Sequence, residues 1–220
     1  CRAGAILGTL QAGYTDFKFL PDTTKDIFDR EALLGVSITG WMNNPDILFD
    51  AKILEEGANI VRQVNREVAE VIGINAAART TCVKPSGNAS VLLQTASGIH
   101  AEHSNMYIRN VQMNKESEVT QAIQKTNPHM VEESVWSAGG TDVVVSFPIL
   151  PKEGSMLKDE LIGVDHLELV KKAQEHWVNA GTNEELCADK GIRHNVSNTI
   201  IVKDWDEVES YVFKNRRSFA

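Results

Sequence analysis

Apolar residues recur along this chain at two spacings, and the switches between them mark out its elements. Between residues 50 and 73, Ile53, Leu54, Ile60, Val61, Val64, Val68, Val71 and Ile72 return at helical intervals. Glu55, Glu56, Arg62, Arg66 and Glu67 take much of the other face, and Gly73 fits as a terminator, so the pattern predicts a long amphipathic helix. Residues 2–15, with Ala5, Ile6, Leu7, Leu10 and Tyr14, read as a helix with a small-residue face, and residues 24–33 as a shorter one. The run from Leu34 to Gly40 alternates and ends on glycine, as a short strand does.

Residues 79–84 then predict a strand and 88–95 a short helix. The stretch 97–140 is the least regular, with an extended piece near Met106–Met113 and a helical one near Glu116–Lys125. The continuous valines of Asp142–Pro148 predict a strand buried on both faces, as in a parallel sheet. Asp165 with Glu168, and Asp204 with Glu207, read as capping boxes that open two helices, with a strand over 196–202 between them. Strands alternating with helices predict an α/β fold with a largely parallel sheet, open or closed into a barrel. No internal repeat or low-complexity linker divides residues 1–220, so a single segment suffices.

Charge and cysteine usage narrow the classes. The net charge of −8 argues against a nucleic-acid duplex as partner, because duplex binders need a positive footprint. No apolar run suits a membrane span and no signal peptide is visible. Cys1, Cys82 and Cys187 are far apart and odd in number, which points to reduced thiols in the cytoplasm rather than a disulfide framework or a zinc site. Cys82, on a strand, reads as a core residue and Cys187 as partly exposed. His100 and His103, three apart with no third ligand, do not make a metal site. Trp41, Trp136, Trp177 and Trp205 are read as packing residues. Both ends give the impression of a segment cut from a larger fold, since Cys1 leads at once into a helical pattern and Ala220 closes just after one.

The candidate chemistry lies in Pro85, Ser86, Gly87, Asn88, Ala89 and Ser90. A strand ends, a sharp turn follows, and a helix starts whose first-turn N–H groups and dipole favour an anion. Gly87 would let backbone approach a ligand without a Cβ in the way. A plain strand-to-helix connection, capped by Ser86 or Asn88, accounts for the same residues.

Thr80–Ser90, followed by Gly98-Ile99-His100 and Tyr107-Ile108-Arg109, resembles the catalytic subunit of ribonucleotide reductases, in particular the monomeric adenosylcobalamin-dependent (class II) ribonucleoside-triphosphate reductases. Gly35–Gly40 and Asn195–Ile200 are similar to two further strands of that family, in the same order. The resemblance implies part, the second half, of a ten-stranded α/β barrel. It implies that the Pro85–Ser90 turn holds the substrate phosphate, with His100 beside the substrate. Asn88 stands where the family commonly has Thr. The family reduces ribonucleotides with a thiyl radical on a finger-loop cysteine, adenosylcobalamin as initiator, and thioredoxin or a similar dithiol as reductant. The Asn-x-Cys-x-Glu pattern of that cysteine does not occur in this sequence, so no catalytic residue is expected here. The cobalamin contacts and the radical chemistry are then expected in the remainder of the reductase chain. Two other readings stay open: a non-catalytic nucleotide- or phosphate-binding α/β module, and a glycyl-radical (class III) reductase of similar barrel fold.

Overall fold

The computed structural model describes residues 1–220, except the side chain of Asn88. In chain order it opens with α1 (Arg2–Ala12), α2 (Asp22–Glu31), β1 (Val36–Ser37), a 3₁₀ turn at Trp41–Asn43, α3 (Pro45–Leu48) and α4 (Ala51–Ile72). Then come β2 (Thr81–Cys82), α5 (Asn88–Leu92), β3 (Tyr107–Asn114), α6 (Glu118–Thr126), β4 (Val131–Glu133) and β5 (Asp142–Ile149). The chain ends in α7 (Val164–Ala173), which continues as a π-helix over Gln174–Asn179, and α8 (Trp205–Lys214).

The long helix α4 forms where the periodicity places it. The Asp50 carboxylate accepts the Ile53 N–H at its start, and Gly73 closes it in the left-handed conformation at φ 76°. Leu54, Ala58, Val61, Val64, Asn65 and Ala69 form its buried stripe. The small residues Ala5 and Thr9 of α1 face this stripe, and the Asn65 amide reaches the Thr9 hydroxyl at 2.9 Å. The larger apolar residues of α1 (Ile6, Leu7, Leu10) are instead exposed. Trp41, Met42 and Trp177 are fully buried in the same core, whereas Trp136 and Trp205 lie on the surface.

Beside this layer runs a narrow parallel ribbon. β1 pairs with β2 in the register Val36–Thr81 and Ser37–Cys82, and Val83 bridges in parallel to Val196. Beyond Val196 the predicted strand 196–202 makes no ladder, and its backbone groups bond instead to loops. The buried Thr81 hydroxyl donates at 2.7 Å to the Trp177 carbonyl in the π-turn behind the ribbon, an oxygen that also accepts the Gly181 N–H at 3.1 Å. The Trp177 indole N–H in turn donates to the Cys82 carbonyl.

β5 departs from expectation. It is the middle strand of an antiparallel sheet in the order β3-β5-β4, not a parallel strand. Only alternate residues, Val143 and Val145, are buried, while Val144 is half-exposed. A central position pairs both edges of the strand, which favours β-branched residues without fixing strand direction. The opening of α7 also differs, because Gly163 holds the cap position and Asp165 lies inside the first turn. Asp204 caps α8 as expected, accepting from the N–H groups of Asp206 and Glu207. The chain is a mixed α/β structure with two small sheets.

Candidate nucleotide-phosphate site

The turn after β2 is assembled by segments far apart in sequence. The Lys84 N–H donates to the Ser37 hydroxyl at 3.0 Å, which fixes the end of the ribbon against β1. Val83 exchanges backbone bonds with Asn195 and Ser197 at 3.1 and 2.8 Å. The Ser86 carbonyl accepts the hydroxyls of Ser90 (2.5 Å) and Ser97 (3.0 Å). Thr39 Oγ1 lies 3.3 Å from Ser86 Oγ, donates to the Ala96 carbonyl and accepts the Gly98 N–H. Gly98 has φ +56°, and a Cβ there would stand 2.8 Å from the Lys84 carbonyl. This close approach is what glycine permits at that position.

Gly87 differs from Gly98, because its backbone does not demand glycine. Its φ is −62°, open to any L residue, and nothing lies within 4 Å of where its Cβ would be. The turn therefore needs no glycine for its own geometry, and the space above it is open to a ligand. Among the described side chains none caps α5 at its Gly87 cap position, so Ser86 does not play the capping part. Asn88 has its backbone at the start of α5, and its side chain lies outside the described residues. Pro85 and Ala89 are exposed, Ser86 is half-buried and Ser90 is fully buried. The hydroxyl proton of Ser90 goes back to the Ser86 carbonyl, so this side chain braces the turn from below.

His100 closes the other side. Its Nδ1 lies 2.8 Å from the Ser97 carbonyl, and its Nε2 accepts the Thr199 N–H at 3.1 Å. The pairing assigns the neutral Nδ1–H tautomer and ties the Gly98–His100 loop to the segment after Val196. His166, buried beneath, contacts the Ile99 carbonyl at 3.0 Å, and burial holds its imidazole below the usual range. Among the described residues no three His, Cys, Asp or Glu side chains cluster as a metal site.

Sequence reasoning passed over the polar chain under this turn. Glu102, only 1% exposed, accepts from Asn43 Nδ2 and from the Tyr107 hydroxyl, both at 2.7 Å. Arg109 then donates to Tyr107 Oη at 2.9 Å and to Ser90 Oγ at 3.0 Å. The signal was present in His-Ala-Glu-His, where the acid between the histidines is the buried member. The cysteines take no part. Burial pushes the thiols of Cys82 and Cys187 up, and both are enclosed, which corrects the expectation that Cys187 is partly exposed.

No family model matches the chain. Two curated proteins do. The adenosylcobalamin-dependent ribonucleoside-triphosphate reductase of Euglena gracilis is 24% identical over 169 residues, 76% of this chain and 23% of that protein. The probable enzyme of the same name from Dictyostelium discoideum is 27% identical over 172 residues, again 76% of this chain and 22% of that one. A crystal structure of a B12-dependent (class II) ribonucleotide reductase matches 98% of the chain and 33% of its own length, with a TM-score of 0.62 at 14% identity. The chain is similar to adenosylcobalamin-dependent ribonucleotide reductases in sequence and in fold. It spans less than a quarter of the curated reductases it matches. Its five reductase-like stretches, Gly35–Gly40, Thr80–Ser90, Gly98–His100, Tyr107–Arg109 and Asn195–Ile200, meet around one turn.

Proposed function

We propose that this segment supplies the substrate-phosphate-binding turn of a ribonucleoside-triphosphate reductase, an oxidoreductase that converts ribonucleotides to deoxyribonucleotides. One observation carries the reading: Ser86 and its neighbours are held by Thr39, Ser97, Gly98 and the 195–197 segment, so four separated stretches build one turn that is open above Gly87. The first-turn N–H groups of α5 lack intrahelical partners and would take phosphate oxygens. Lys84, exposed at the ribbon's end, would add positive charge nearby. His100, with both ring nitrogens engaged, would form a wall of the site rather than exchange protons.

On this reading residues 1–220 are one segment, the parallel ribbon belongs to the family's ten-stranded barrel, and the remainder of the reductase chain completes it. A dithiol such as thioredoxin would restore the enzyme, and the cytoplasm is its place. Among the described residues no helix is long and apolar enough to cross a membrane. The matched relatives are named for adenosylcobalamin, which supplies the radical when bound. The residues present do not fit that step. Cys82 and Cys187 are buried protonated thiols, and exposed Cys1 stands at the cap position of α1 without a capping bond from its side chain. The contacts to the cofactor are therefore assigned elsewhere in the enzyme.

The test uses the full-length protein and the 220-residue segment side by side. With nucleoside triphosphate, adenosylcobalamin and a dithiol, the full-length protein should form deoxynucleotide and the segment none. The segment should still bind the triphosphate, and more tightly than inorganic tripolyphosphate if ribose and base are also held. Equal affinity for the two would favour a bare phosphate-binding module, and turnover by the segment would overturn the assignment of roles.

A further inference from the structure

The half-buried face of β3 carries Tyr107 and Arg109, and Arg109 reaches Ser90 of α5. Arg109 grips the Ser90 hydroxyl and the Tyr107 phenol oxygen rather than a carboxylate. A guanidinium with N–H donors on two neutral oxygens keeps its charge uncompensated at first hand, close to the start of α5. Tyr107 is locked in turn. Its hydroxyl proton goes to Glu102 Oε2, and its lone pair accepts from Arg109. Burial, reinforced by the Glu102 hydrogen bond and charge, pushes the phenol up to about 12, so it remains a donor at any physiological pH. Glu102 is anchored from the far side by Asn43, whose own oxygen accepts from Thr95 Oγ1 and the Ala96 N–H at 2.6 Å each. Ala96 and Ser97 bond back to Thr39 and Ser86. The chain of bonds thus closes into a ring that passes under the turn from both sides.

We infer that Arg109 is a positioning residue for the phosphate turn, held in place through Tyr107 by the buried Glu102 carboxylate. The inference rests on the phosphate reading of the turn. Arg109 fixes Ser90, whose hydroxyl fixes the Ser86 carbonyl, and so sets the direction of the N–H groups that would meet phosphate. A hydrogen-bonded ring of this kind keeps donors in place before the ligand arrives, which lowers the ordering cost of binding.

The experiment measures KM and kcat for a nucleoside triphosphate, inhibition by inorganic tripolyphosphate, and binding of the unphosphorylated nucleoside. It uses the full-length enzyme with Tyr107→Phe, Arg109→Gln and Arg109→Lys. Tyr107→Phe removes one oxygen, keeps every charge and touches no residue of the turn. It should raise KM several-fold, weaken tripolyphosphate inhibition by the same factor, and leave kcat and nucleoside binding near wild type. Arg109→Gln should raise both constants by roughly tenfold, the loss expected for one charge-assisted hydrogen bond, with part of it restored in Arg109→Lys. Unchanged KM and inhibition in folded Tyr107→Phe and Arg109→Gln, while Gly87→Val raises both, would overturn the positioning role and leave the phosphate site standing. If Gly87→Val also changes nothing, the phosphate site and this role fall together. Should Arg109→Gln not fold, Tyr107→Phe alone decides.

Discussion

Single residues in this molecule divide into those whose role is set by space and those set by partners. Gly98 belongs to the first group, because a side chain there meets the Lys84 carbonyl. Gly87 does not, and its value would lie in leaving room for a ligand. Glu31 belongs to the second. Burial drives its carboxyl upward, but the hydrogen bonds and charges of Arg79 and Arg30 outweigh this and hold it below the usual range. A carboxyl lowered in the folded state contributes stability above its unfolded value of 4.5, and that contribution is lost as the pH falls through the folded value. Urea midpoints of the wild type should therefore drop on acidification below about pH 4.5 more steeply than those of Glu31→Gln. Parallel profiles would remove Glu31 as the cause. Arg79→Met should cost about 3–5 kcal/mol at neutral pH, because it leaves a buried carboxylate short of its main partner. A loss under about 1 kcal/mol would show that Arg30 and solvent suffice.

Among the elements, those whose signals are local were legible in the sequence and those defined by pairing were not. The stripe from Leu54 to Ala69, the Asp50 cap and Gly73 specify α4 within its own residues. The Asp204 cap does the same for α8. The valines of β5 say that the strand is well paired but not in which direction, and that depends on β3, some thirty residues earlier. The turn was legible as strand, turn and helix. The Asn43–Glu102–Tyr107–Arg109–Ser90 chain under it was not, since no spacing along the sequence marks a hydrogen-bonded ring. The π-turn gives an element-scale prediction. Thr81→Val keeps shape but removes the hydroxyl that donates to the Trp177 carbonyl, which keeps the Gly181 N–H. The expected cost is about 0.5–1.5 kcal/mol in chemical unfolding, that of one net hydrogen bond. A neutral result would mean that the Gly181 N–H alone suffices for this carbonyl.

At the scale of the whole molecule, much apolar surface remains uncovered. Ile6, Leu7 and Leu10 of α1 are exposed, and Leu92 and Leu93 at the end of α5 are 84% and 63% exposed. An apolar groove between α5 and the antiparallel sheet runs past Val111, Met113 and Phe147. Surfaces of this kind mark contact faces. The 220-residue chain on its own should therefore self-associate in light scattering, and a stable monomer at micromolar concentration would contradict that expectation. The turn after β2 lies where the parallel ribbon meets β3 of the antiparallel sheet, through the Arg109–Ser90 bond.

The substrate-phosphate role is tested most directly by Gly87→Val in the full-length enzyme. The position is open, at φ −62°, so the valine should leave the fold and its melting temperature intact while its branched side chain fills the space beside the first turn of α5. The account predicts a KM for nucleoside triphosphate raised on the order of tenfold or more, with weakened tripolyphosphate inhibition. A folded Gly87→Val enzyme with wild-type KM and wild-type inhibition would contradict it.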